Sequence, residues 1–397
     1  MIYVDVSAAV HRRAGLGRYA ESLIRALVAR EGGESKRSGG AVPYGLFYNR
    51  ERGIQRLSGL EHVPTRTVAL GYKPWRMLVW LGQLLRVGFD RLLEEGTLFH
   101  ATEHLLLPLR STPTVLTVHD LIFRHLPEHH KLLNRWYLDL TLPLYCRRAT
   151  HVIAISQSTR RDLMAAYGLP SERITVIHEA ADPQFHPQSG ERVSAARRQY
   201  GFPERYVLFV GTIEPRKNLT RLLRAFEILH GEGMTEALVV VGKQGWLYEG
   251  FFAELERSPV KNAVLLPGYV PDEDLPAVYA GAQALVFPSL YEGFGLPVLE
   301  AMACGTPVAC SGTSSLPEVG GDAAVYFDPK REGSIVERLR PLLGDEHLRD
   351  ELAERGLARA ARFSWHRAAA ETEAVYQAVM NNGQVPLQDG GRGVTRR

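Results

Sequence analysis

Short apolar runs alternate with longer stretches of mixed polarity over most of the chain. In the first half, the apolar runs are bounded by Gly, Pro or polar residues, as buried strands are. They occupy residues 1–7, 43–48, 97–101, 114–119, 151–156 and 173–178. Several of the stretches between them are long enough for helices. This alternation predicts a parallel, doubly wound α/β sheet.

A break in this pattern divides the chain. Residues 182–190 contain two prolines and a glycine and have no apolar periodicity, which is typical of a linker. The alternation then resumes, with predicted strands at residues 206–211, 237–242, 262–268, 284–287, 307–311 and 323–327. We therefore predict two Rossmann-like domains, 1–185 and 190–363. Ligands of open α/β sheets bind beyond the carboxyl ends of the strands, so we expect the site in a cleft between the domains.

The end of the chain predicts one more helix and a polar tail. Residues 364–380 place apolar and small residues on one helical stripe, formed by Ala368, Thr372, Val375, Tyr376 and Val379. Residues 381–397 are polar and rich in Gly, and we predict disorder for them.

Composition narrows the class of protein. The net charge is only +3, so no overall basic field indicates a nucleic-acid partner. The three cysteines lie in apolar contexts without metal-ligand spacing, which is typical of reduced core residues. The first residues predict a strand rather than a signal peptide, and no apolar run reaches the length of a membrane span. We therefore expect a cytoplasmic protein.

A Gly-rich loop between a strand and a helix carries the strongest chemical signal. The loop 292–295 follows a strand that ends at Phe287, and Pro297 is a typical first helical residue. Backbone N–H groups of such a loop, with the helix N-terminus behind it, favour phosphates. Glu292 and Glu300 bracket the loop, and carboxylates accept hydrogen bonds from hydroxyl groups. Phosphate donors beside hydroxyl acceptors indicate a nucleotide-sugar.

The same residues resemble a known family. The segment from Glu292 to Glu300 is similar to the E-x7-E motif of the retaining glycosyltransferases of family 4, which have the two-domain GT-B fold. The resemblance implies that Glu292 lies by the donor sugar and Glu300 by the nucleotide ribose. It also implies donor binding by the C-terminal domain, acceptor binding by the N-terminal domain, a last helix that packs on the N-terminal domain, and no bound metal.

Two adjacent cations follow a predicted strand at Arg216 and Lys217. Arg suits phosphate oxygens by its bidentate geometry and Lys as a point charge. They resemble the Arg/Lys pair of the family, which stabilises the departing nucleoside diphosphate. A solvated helix start is the alternative, but cations at a helix N-terminus oppose its dipole.

His119 and Asp120 end another predicted strand. The resemblance implies that His119 contacts the donor sugar and diphosphate. For Asp120, capping of the next turn and a role in the site are equally favoured. The catalytic residues we predict are His119, Arg216, Lys217 and Glu292.

Further positions complete the predicted donor site. The segment 15–20 matches G-x-G-x-x-G/A, and the resemblance makes it a loop over the donor diphosphate or the acceptor. Lys243 ends a strand where phosphate or sugar contacts are expected, and Val270 lies where the family places the base. The predicted donor-binding residues are Gly15, Leu16, Gly17, Gly211, Thr212, Lys243, Val270, Gly293, Phe294, Gly295, Leu296 and Glu300.

Three other segments bear on the prediction. Asp272–Asp274 resembles a DxD metal motif, but it precedes a predicted helix, so we interpret the acids as N-caps. Residues 71–86 are aromatic, basic and apolar, which fits either a peripheral membrane contact or a core helix. The family often has Asn-Gly-Val-Asp after the last strand of the first domain, whereas residues 178–182 read His-Glu-Ala-Ala-Asp.

We predict a metal-independent retaining glycosyltransferase without a cofactor. It moves a hexose to a hydroxyl of a glycan or lipid-linked acceptor. On the family resemblance, the donor we predict first is GDP-mannose. A UDP- or ADP-sugar donor, or phosphate as the acceptor, is the alternative on the same fold. An NAD-dependent enzyme built on Gly15 and Gly17 would leave the other charged residues unexplained. The predicted location is the cytoplasm, either free or at the inner membrane surface.

Overall fold

The computed structural model describes residues 1–38, 43–51 and 53–381. The chain divides into two compact units. In the described part of the chain, the first comprises Met1–Leu121, Leu133–Glu179 and residues 365–381; the second comprises Ile122–Leu132 and Ala180–Ser364. The second unit thus contains a short segment from within the first half of the chain, which no sequence pattern predicted.

All the strands in the described part of the chain belong to two sheets, one in each unit. The sheet of the first unit contains β1 (Ile2–Asp5), β2 (Tyr44–Asn49), β3 (Thr65–Val68), β4 (Leu98–Ala101), β5 (Thr114–Val118), β6 (His151–Ala154) and β7 (Ile174–Val176). The sheet of the second unit contains β8 (Tyr206–Val210), β9 (Ala237–Val241), β10 (Val264–Gly268), β11 (Ala284–Phe287), β12 (Val308–Ser311) and β13 (Ala324–Phe327).

Helices connect the strands. In chain order they are α1 (Ser7–Val10), α2 (Ala14–Ser38), α3 (Tyr72–Leu85), α4 (Ile122–His125), α5 (Leu132–Arg148), α6 (Gln157–Tyr167), α7 (Gly190–Tyr200), α8 (Leu219–Gly231), α9 (Glu249–Arg257), α10 (Leu275–Ala280), α11 (Leu296–Ala303), α12 (Leu316–Gly320), α13 (Glu332–Gly344), α14 (Glu346–Ala360) and α15 (Trp365–Met380). Short 3-10 turns lie at Asp90–Leu93, Pro127–His129, Ser171–Arg173, Pro215–Lys217 and Lys261–Ala263.

Every strand pair is parallel, as the alternation of strands and helices predicts. The strand orders are β3-β2-β1-β4-β5-β6-β7 and β10-β9-β8-β11-β12-β13. The central strands are buried because helices cover both faces of such a sheet. Both units are therefore doubly wound α/β sheets, and the predicted fold class is confirmed.

The last helix belongs to the first unit, where it packs against α2. Arg30 Nε donates to Glu373 Oε2 over 2.9 Å. Beneath the helix, Tyr376 Oη lies 2.6 Å from His100 Nδ1 in the buried interior. Burial lowers the pKa of His100 to about 3, so this ring is neutral at physiological pH.

Three details differ from the sequence prediction. Helix α2 begins at Ala14, where we expected a loop, and continues to Ser38 instead of ending near Arg30. Strand β3 was not predicted, because its residues are largely exposed and give no apolar run. The predicted disordered tail, apart from Asn381, lies outside the described residues. Among those described, no helix is both long and apolar enough to cross a bilayer.

Candidate active site

The sheet of the second unit has a topological switch point between β8 and β11. The chain leaves β8 towards β9 on one side, and β11 leads to β12 on the other. Loops diverge at such a point, so a crevice forms beyond the carboxyl ends of the two strands. Arg216 and Lys217 follow β8, and Glu292 follows β11. Three of the four predicted catalytic residues therefore meet at this switch point.

These side chains form one buried ion cluster. Glu292 Oε1 lies 2.7 Å from an Arg216 nitrogen and 2.6 Å from Lys217 Nζ. Glu214 accepts a second hydrogen bond from Arg216. Burial alone would raise the pKa of Glu292, but the charges of Arg216 and Lys217 lower it to about 2. Glu292 is therefore ionised at any physiological pH.

The cluster balances two cations with two carboxylates. Burial, followed by the charge of Arg216, lowers the pKa of Lys217, and Glu292 opposes that effect. The predicted alternative of a solvated helix start does not apply to Lys217, which is buried. The anions that contact the two cations are the carboxylates of Glu214 and Glu292. Glu214 was not among the predicted site residues. Glu214 precedes Arg216 by only two residues, and this proximity in the sequence could have indicated that it belongs to the site.

Two serines hold the Gly-rich loop in place. Ser314 Oγ accepts from the Glu292 N–H over 2.9 Å, and Ser315 Oγ lies within 3.0 Å of the carbonyl oxygens of Glu292 and Phe294. The residues Gly293, Phe294 and Gly295 are buried. The Glu292 N–H is thus engaged by the protein itself. Both serines lie after β12, beyond the motif, and their role was not predicted.

Gly295 is required by the backbone at the start of α11. Its φ is +120°, and a Cβ there would lie 2.7 Å from Leu316 Cδ2. Leu296 and Pro297 then form the first turn of the helix, as predicted. The loop can therefore bring β11 directly into a helix N-terminus, where a phosphate is favoured.

Glu300 lies one turn further along α11 and is buried. Its Oε2 accepts a hydrogen bond from Tyr279 Oη over 2.8 Å. Tyr279 belongs to α10 and was not predicted as a site residue. Glu300 thus lies on the helix that follows the phosphate-favouring loop. The hydroxyl group that donates to its carboxylate belongs to Tyr279. Its contact with a ribose stays a prediction.

The loops after β8 and β9 approach each other closely. Gly211 N–H donates to Val241 O, and a Cβ on Gly242 would lie 2.0 Å from Gly211 O. Thr212 lies in the same loop crossing, where a Cβ on Gly245 would meet its methyl group at 2.5 Å. Both close approaches need glycine. The contact between the two loops holds Gly211 and Thr212 in the loop after β8, which also carries Arg216 and Lys217 of the ion cluster.

The remaining predicted residues of the second unit lie at the ends of β9 and β10. Lys243 is exposed, and its Nζ lies 4.8 Å from the centre of the Tyr269 ring. Val270 is buried. Asp274 occupies the N-cap position of α10, as predicted, but its carboxylate accepts from Tyr200 Oη over 2.6 Å and makes no cap hydrogen bond. In the described part of the chain, no three His, Cys, Asp or Glu side chains are grouped as metal ligands.

The predicted loop at Gly15, Leu16 and Gly17 is instead the first turn of α2. A Cβ on Gly17 would lie 2.8 Å from Ala8 O, so this glycine allows α1 and α2 to pack closely. A Cβ on Gly15 would meet nothing within 4 Å. The prediction of a loop at these residues is therefore wrong, although contact with a ligand from this helix end stays a prediction.

His119 is buried, and both of its ring nitrogens have protein partners. Nε2 donates to Thr102 O over 2.8 Å, and Nδ1 lies 3.4 Å from Glu179 Oε1. Burial lowers the pKa of His119, but the hydrogen bond and charge of Glu179, the Thr102 carbonyl and the charge of Asp120 together outweigh burial and raise the pKa. The Tyr19 ring meets the imidazole edge-on at 4.7 Å. Glu179 lies where this sequence departs from the family pattern, and its pairing with His119 was not predicted.

Helix α3 combines both interpretations of residues 71–86. Trp75 and Val79, which we considered for a membrane surface, are buried. Leu78 and Leu81, however, are exposed, and so are Met77, Leu84 and Leu85. One face of the helix therefore belongs to the core, and the opposite face presents apolar side chains to solvent.

Comparison with known proteins agrees with this geometry. Residues 194–359 match the family described as glycosyl transferases group 1, and residues 13–185 match Glycosyltransferase Family 4. The chain is 33% identical over 378 residues to O-antigen chain mannosyltransferase B of Escherichia coli, covering 91% of this chain and 96% of that protein. It is also 32% identical to the serotype-specific mannosyltransferase WbdA of Escherichia coli, over 66% of this chain and 33% of WbdA.

Solved structures share the fold. HepE of Anabaena, solved in complex with UDP and glucose, has a TM-score of 0.74 at 18% identity and covers 95% of this chain and 99% of its own. Sucrose-phosphate synthase of Thermosynechococcus elongatus has a TM-score of 0.75 at 19% identity, covering 96% and 99%. The match to the Escherichia coli transferase extends over nearly the whole length of both proteins. This chain therefore belongs to the family 4 glycosyltransferases, and it is a glycosyltransferase with the GT-B fold.

Proposed function

We propose that this protein is a retaining mannosyltransferase that moves mannose from GDP-mannose to a hydroxyl of a growing glycan. The observation that carries the proposal is the 33% identity to an O-antigen chain mannosyltransferase over 96% of that protein. The ion cluster at the β8/β11 switch point supports it, because Arg216 and Lys217 suit a diphosphate.

In the proposed reaction, the donor diphosphate replaces Glu292 as the partner of Arg216 and Lys217. Glu292 is then released towards the sugar, where a carboxylate accepts from hydroxyl groups. The acceptor oxygen bonds to the anomeric carbon from the face that the diphosphate leaves. The bond from that carbon to the diphosphate oxygen breaks, and the acceptor proton passes to the departing diphosphate. The two cations stabilise the negative charge that develops there.

This assignment needs no metal ion and no cofactor. Divalent cations serve many phosphoryl and glycosyl sites by neutralising a diphosphate. Arg216 and Lys217 supply two positive charges at the place where the diphosphate is expected. Asp274, the last acid of the DxD-like segment, is committed to Tyr200. We therefore propose that donor binding is independent of metal.

We also propose that the acceptor is lipid-linked and that α3 contacts the membrane surface. Leu81 and Leu85 on α3 and Leu133 and Trp136 on α5 are at least 44% exposed. The two helices adjoin, because the Arg76 guanidinium lies 3.7 Å from the centre of the Tyr137 ring. Residues 71–91 and 131–148 together carry eight Lys or Arg and two Asp or Glu, in a chain whose net charge is only +3. Apolar side chains flanked by cations favour anionic lipid.

A UDP-sugar donor is the second candidate, and one observation favours it. HepE, which covers 95% of this chain, was solved in complex with UDP and glucose. Its identity of 18% is well below that of the mannosyltransferase relative, so we rank GDP-mannose first.

Incubation of the full-length protein with GDP-mannose, UDP-glucose, UDP-galactose, UDP-N-acetylglucosamine or ADP-glucose tests the proposal. Release of nucleoside diphosphate is measured with a mannoside acceptor, and the anomeric configuration of the product is read by NMR. We expect turnover with GDP-mannose and an α-linked product. Turnover with UDP-glucose but not GDP-mannose would identify the second candidate, and an inverted product would exclude retention.

A further inference from the structure

The first unit has a switch point of its own. The chain leaves β1 towards β2 on one side, and β4 pairs with the other edge of β1. A crevice is expected beyond the carboxyl ends of β1 and β4 for the same reason as in the second unit. Asp5 ends β1, and Glu103 and His104 follow β4. None of these residues belongs to the predicted site.

Hydrogen bonds lock the backbone of this switch point. Thr102 Oγ1 donates to Asp5 O over 2.6 Å, which ties the loop after β4 to the end of β1. Asp5 Oδ1 accepts from the Ser7 N–H over 2.8 Å. Arg13, just before α2, donates to Glu103 Oε2 over 2.5 Å, and its guanidinium lies 3.5 Å from the centre of the Tyr72 ring. The side chains are thus held by a rigid frame.

Two buried polar atoms at this place have no hydrogen-bond partner. They are Glu103 Oε1 and His104 Nδ1, in consecutive residues. Glu103 is only 3% exposed, so its carboxylate has lost water without gaining a second partner. A buried polar atom without a hydrogen-bond partner destabilises the fold, and more so when it is charged. Such a cost is typical of sites that are completed by a ligand.

The two unpartnered atoms suit a ligand rich in hydroxyl groups, because Glu103 Oε1 accepts hydrogen bonds. Asp5, Glu103 and Asp120 bring carboxyl groups to the site, and Arg13, Arg76 and His119 bring basic groups. Burial lowers the pKa of His104 to about 4, so its ring is neutral and accepts or donates one hydrogen bond. Hydroxyl groups also do both.

We infer that the β1/β4 switch point binds the sugar end of the acceptor, with Glu103 and His104 as hydrogen-bonding partners of its ring hydroxyls. The inference rests on the proposed glycosyl transfer, and it adds the acceptor-binding residues to that function. Glu103 Oε1 accepts from one hydroxyl, and His104 Nδ1 pairs with another.

Saturation-transfer NMR with octyl α-D-mannopyranoside tests the inference without requiring turnover. The full-length wild-type protein is compared with Glu103→Gln, His104→Asn and the control Glu94→Gln, an exposed acid of the same unit. We expect the wild type and the control to bind the glycoside with equal affinity. In Glu103→Gln and His104→Asn, we expect the affinity for the glycoside to be at least tenfold weaker. The His104→Asn variant leaves the Arg13–Glu103 ion pair intact and guards against a folding defect.

Each outcome decides the assignment. Equal glycoside signals in all four proteins, or no signal in the wild type, would overturn it. GDP release from GDP-mannose is followed in parallel. A wild-type protein that binds the glycoside at Glu103 but never consumes a nucleotide-sugar would contradict the proposed function and leave this site in place. Normal transfer to the glycoside by Glu103→Gln and His104→Asn would contradict the site alone.

Discussion

Lys217 Nζ donates to Glu292 Oε1 over 2.6 Å, and both side chains are buried. The pair joins the loop after β8 to the loop after β11 across the switch point of the second unit. Because Glu292 shares the same oxygen with Arg216, one carboxylate engages both cations. Any diphosphate that binds these cations has to compete with Glu292, and this competition shapes the first predictions.

Removal of either cation should slow transfer. We expect Arg216→Ala and Lys217→Ala to lose about 2–4 kcal/mol of transition-state stabilisation in kcat/KM, because a charge-stabilising donor is lost. Steady-state kinetics with GDP-mannose measures this. Arg340→Ala is the matched control, since Arg340 forms an exposed ion pair with Glu232. Near wild-type turnover in both site variants would remove the phosphate assignment.

Substitution of the two glutamates of the motif should have different effects on GDP affinity and on kcat. Glu292→Gln removes the competing negative charge, so we expect GDP affinity to be kept or increased while kcat falls. Glu300→Gln should mainly weaken GDP binding, because ribose contacts are the same in the ground and transition states.

Isothermal titration with GDP alone, beside steady-state kinetics, distinguishes these effects. The matched control is Glu254→Gln, whose carboxylate pairs with Arg224 away from the motif. If Glu292→Gln loses GDP while Glu300→Gln retains it, the two roles are reversed.

Donor binding should not depend on a divalent metal. We expect GDP affinity and turnover to stay within about twofold after EDTA treatment, because Arg216 and Lys217 supply the positive charge. Titration of Mn²⁺ and Mg²⁺ into the treated protein is the measurement. A strict requirement for either ion, restored on its addition, would contradict this prediction.

Asp5 should make the stability of the protein depend on pH. Burial, with the charge of Glu103, raises the pKa of Asp5 from 3.8 to about 7. Between these values the folded protein binds more protons at this group than the unfolded chain does. Its free energy of unfolding therefore falls as pH rises through this window.

Asp5→Asn should remove that dependence and keep an oxygen to accept from the Ser7 N–H. We expect the free energy of unfolding of the variant, relative to that of the wild type, to increase by about 1–3 kcal/mol between pH 4.5 and 7.5, with a corresponding rise in relative Tm. Differential scanning calorimetry at several pH values measures it. Parallel pH profiles for the two proteins would show that Asp5 does not titrate as described.

The exposed apolar face of α3 should bind anionic membranes. Leu81→Ser combined with Leu85→Ser should reduce partitioning by about tenfold or more, because two exposed apolar side chains are lost. Sedimentation with vesicles of phosphatidylethanolamine and phosphatidylglycerol measures this. Leu357→Ser, on α14 of the second unit, is the control. Equal partitioning of all variants, or no binding of the wild type, would exclude this surface.

Much of the fold follows from the sequence because buried strands are local features. The run at 284–287 is both the predicted and the observed β11. Strand β3 was not predicted because its side chains are largely exposed, so the sequence shows no apolar run there. It forms by pairing with β2, which is not a local feature of the sequence. Gly17 was interpreted as part of a loop, but it serves helix packing against Ala8, which no local pattern indicates.

The site was predicted in part for a related reason. The motif around Glu292 is contiguous, so its loop and helix were visible in the sequence. The pairing of Arg13 with Glu103 spans 90 residues, and no spacing rule connects them. The partner of His119 is Glu179, at a position where the family pattern predicts something else. Such contacts arise only when the carboxyl ends of neighbouring strands are brought together.

The crossing of the loops at Gly211 and Gly242 limits how this enzyme could be redesigned. A Cβ at position 242 would lie 2.0 Å from Gly211 O, so every other amino acid there must displace the main chain. A combinatorial library that varies the donor-side loops should therefore keep Gly242 fixed. The neighbouring Lys243 is exposed, so diversity at that position is compatible with folding. Engineering of donor preference thus begins one residue beyond the crossing.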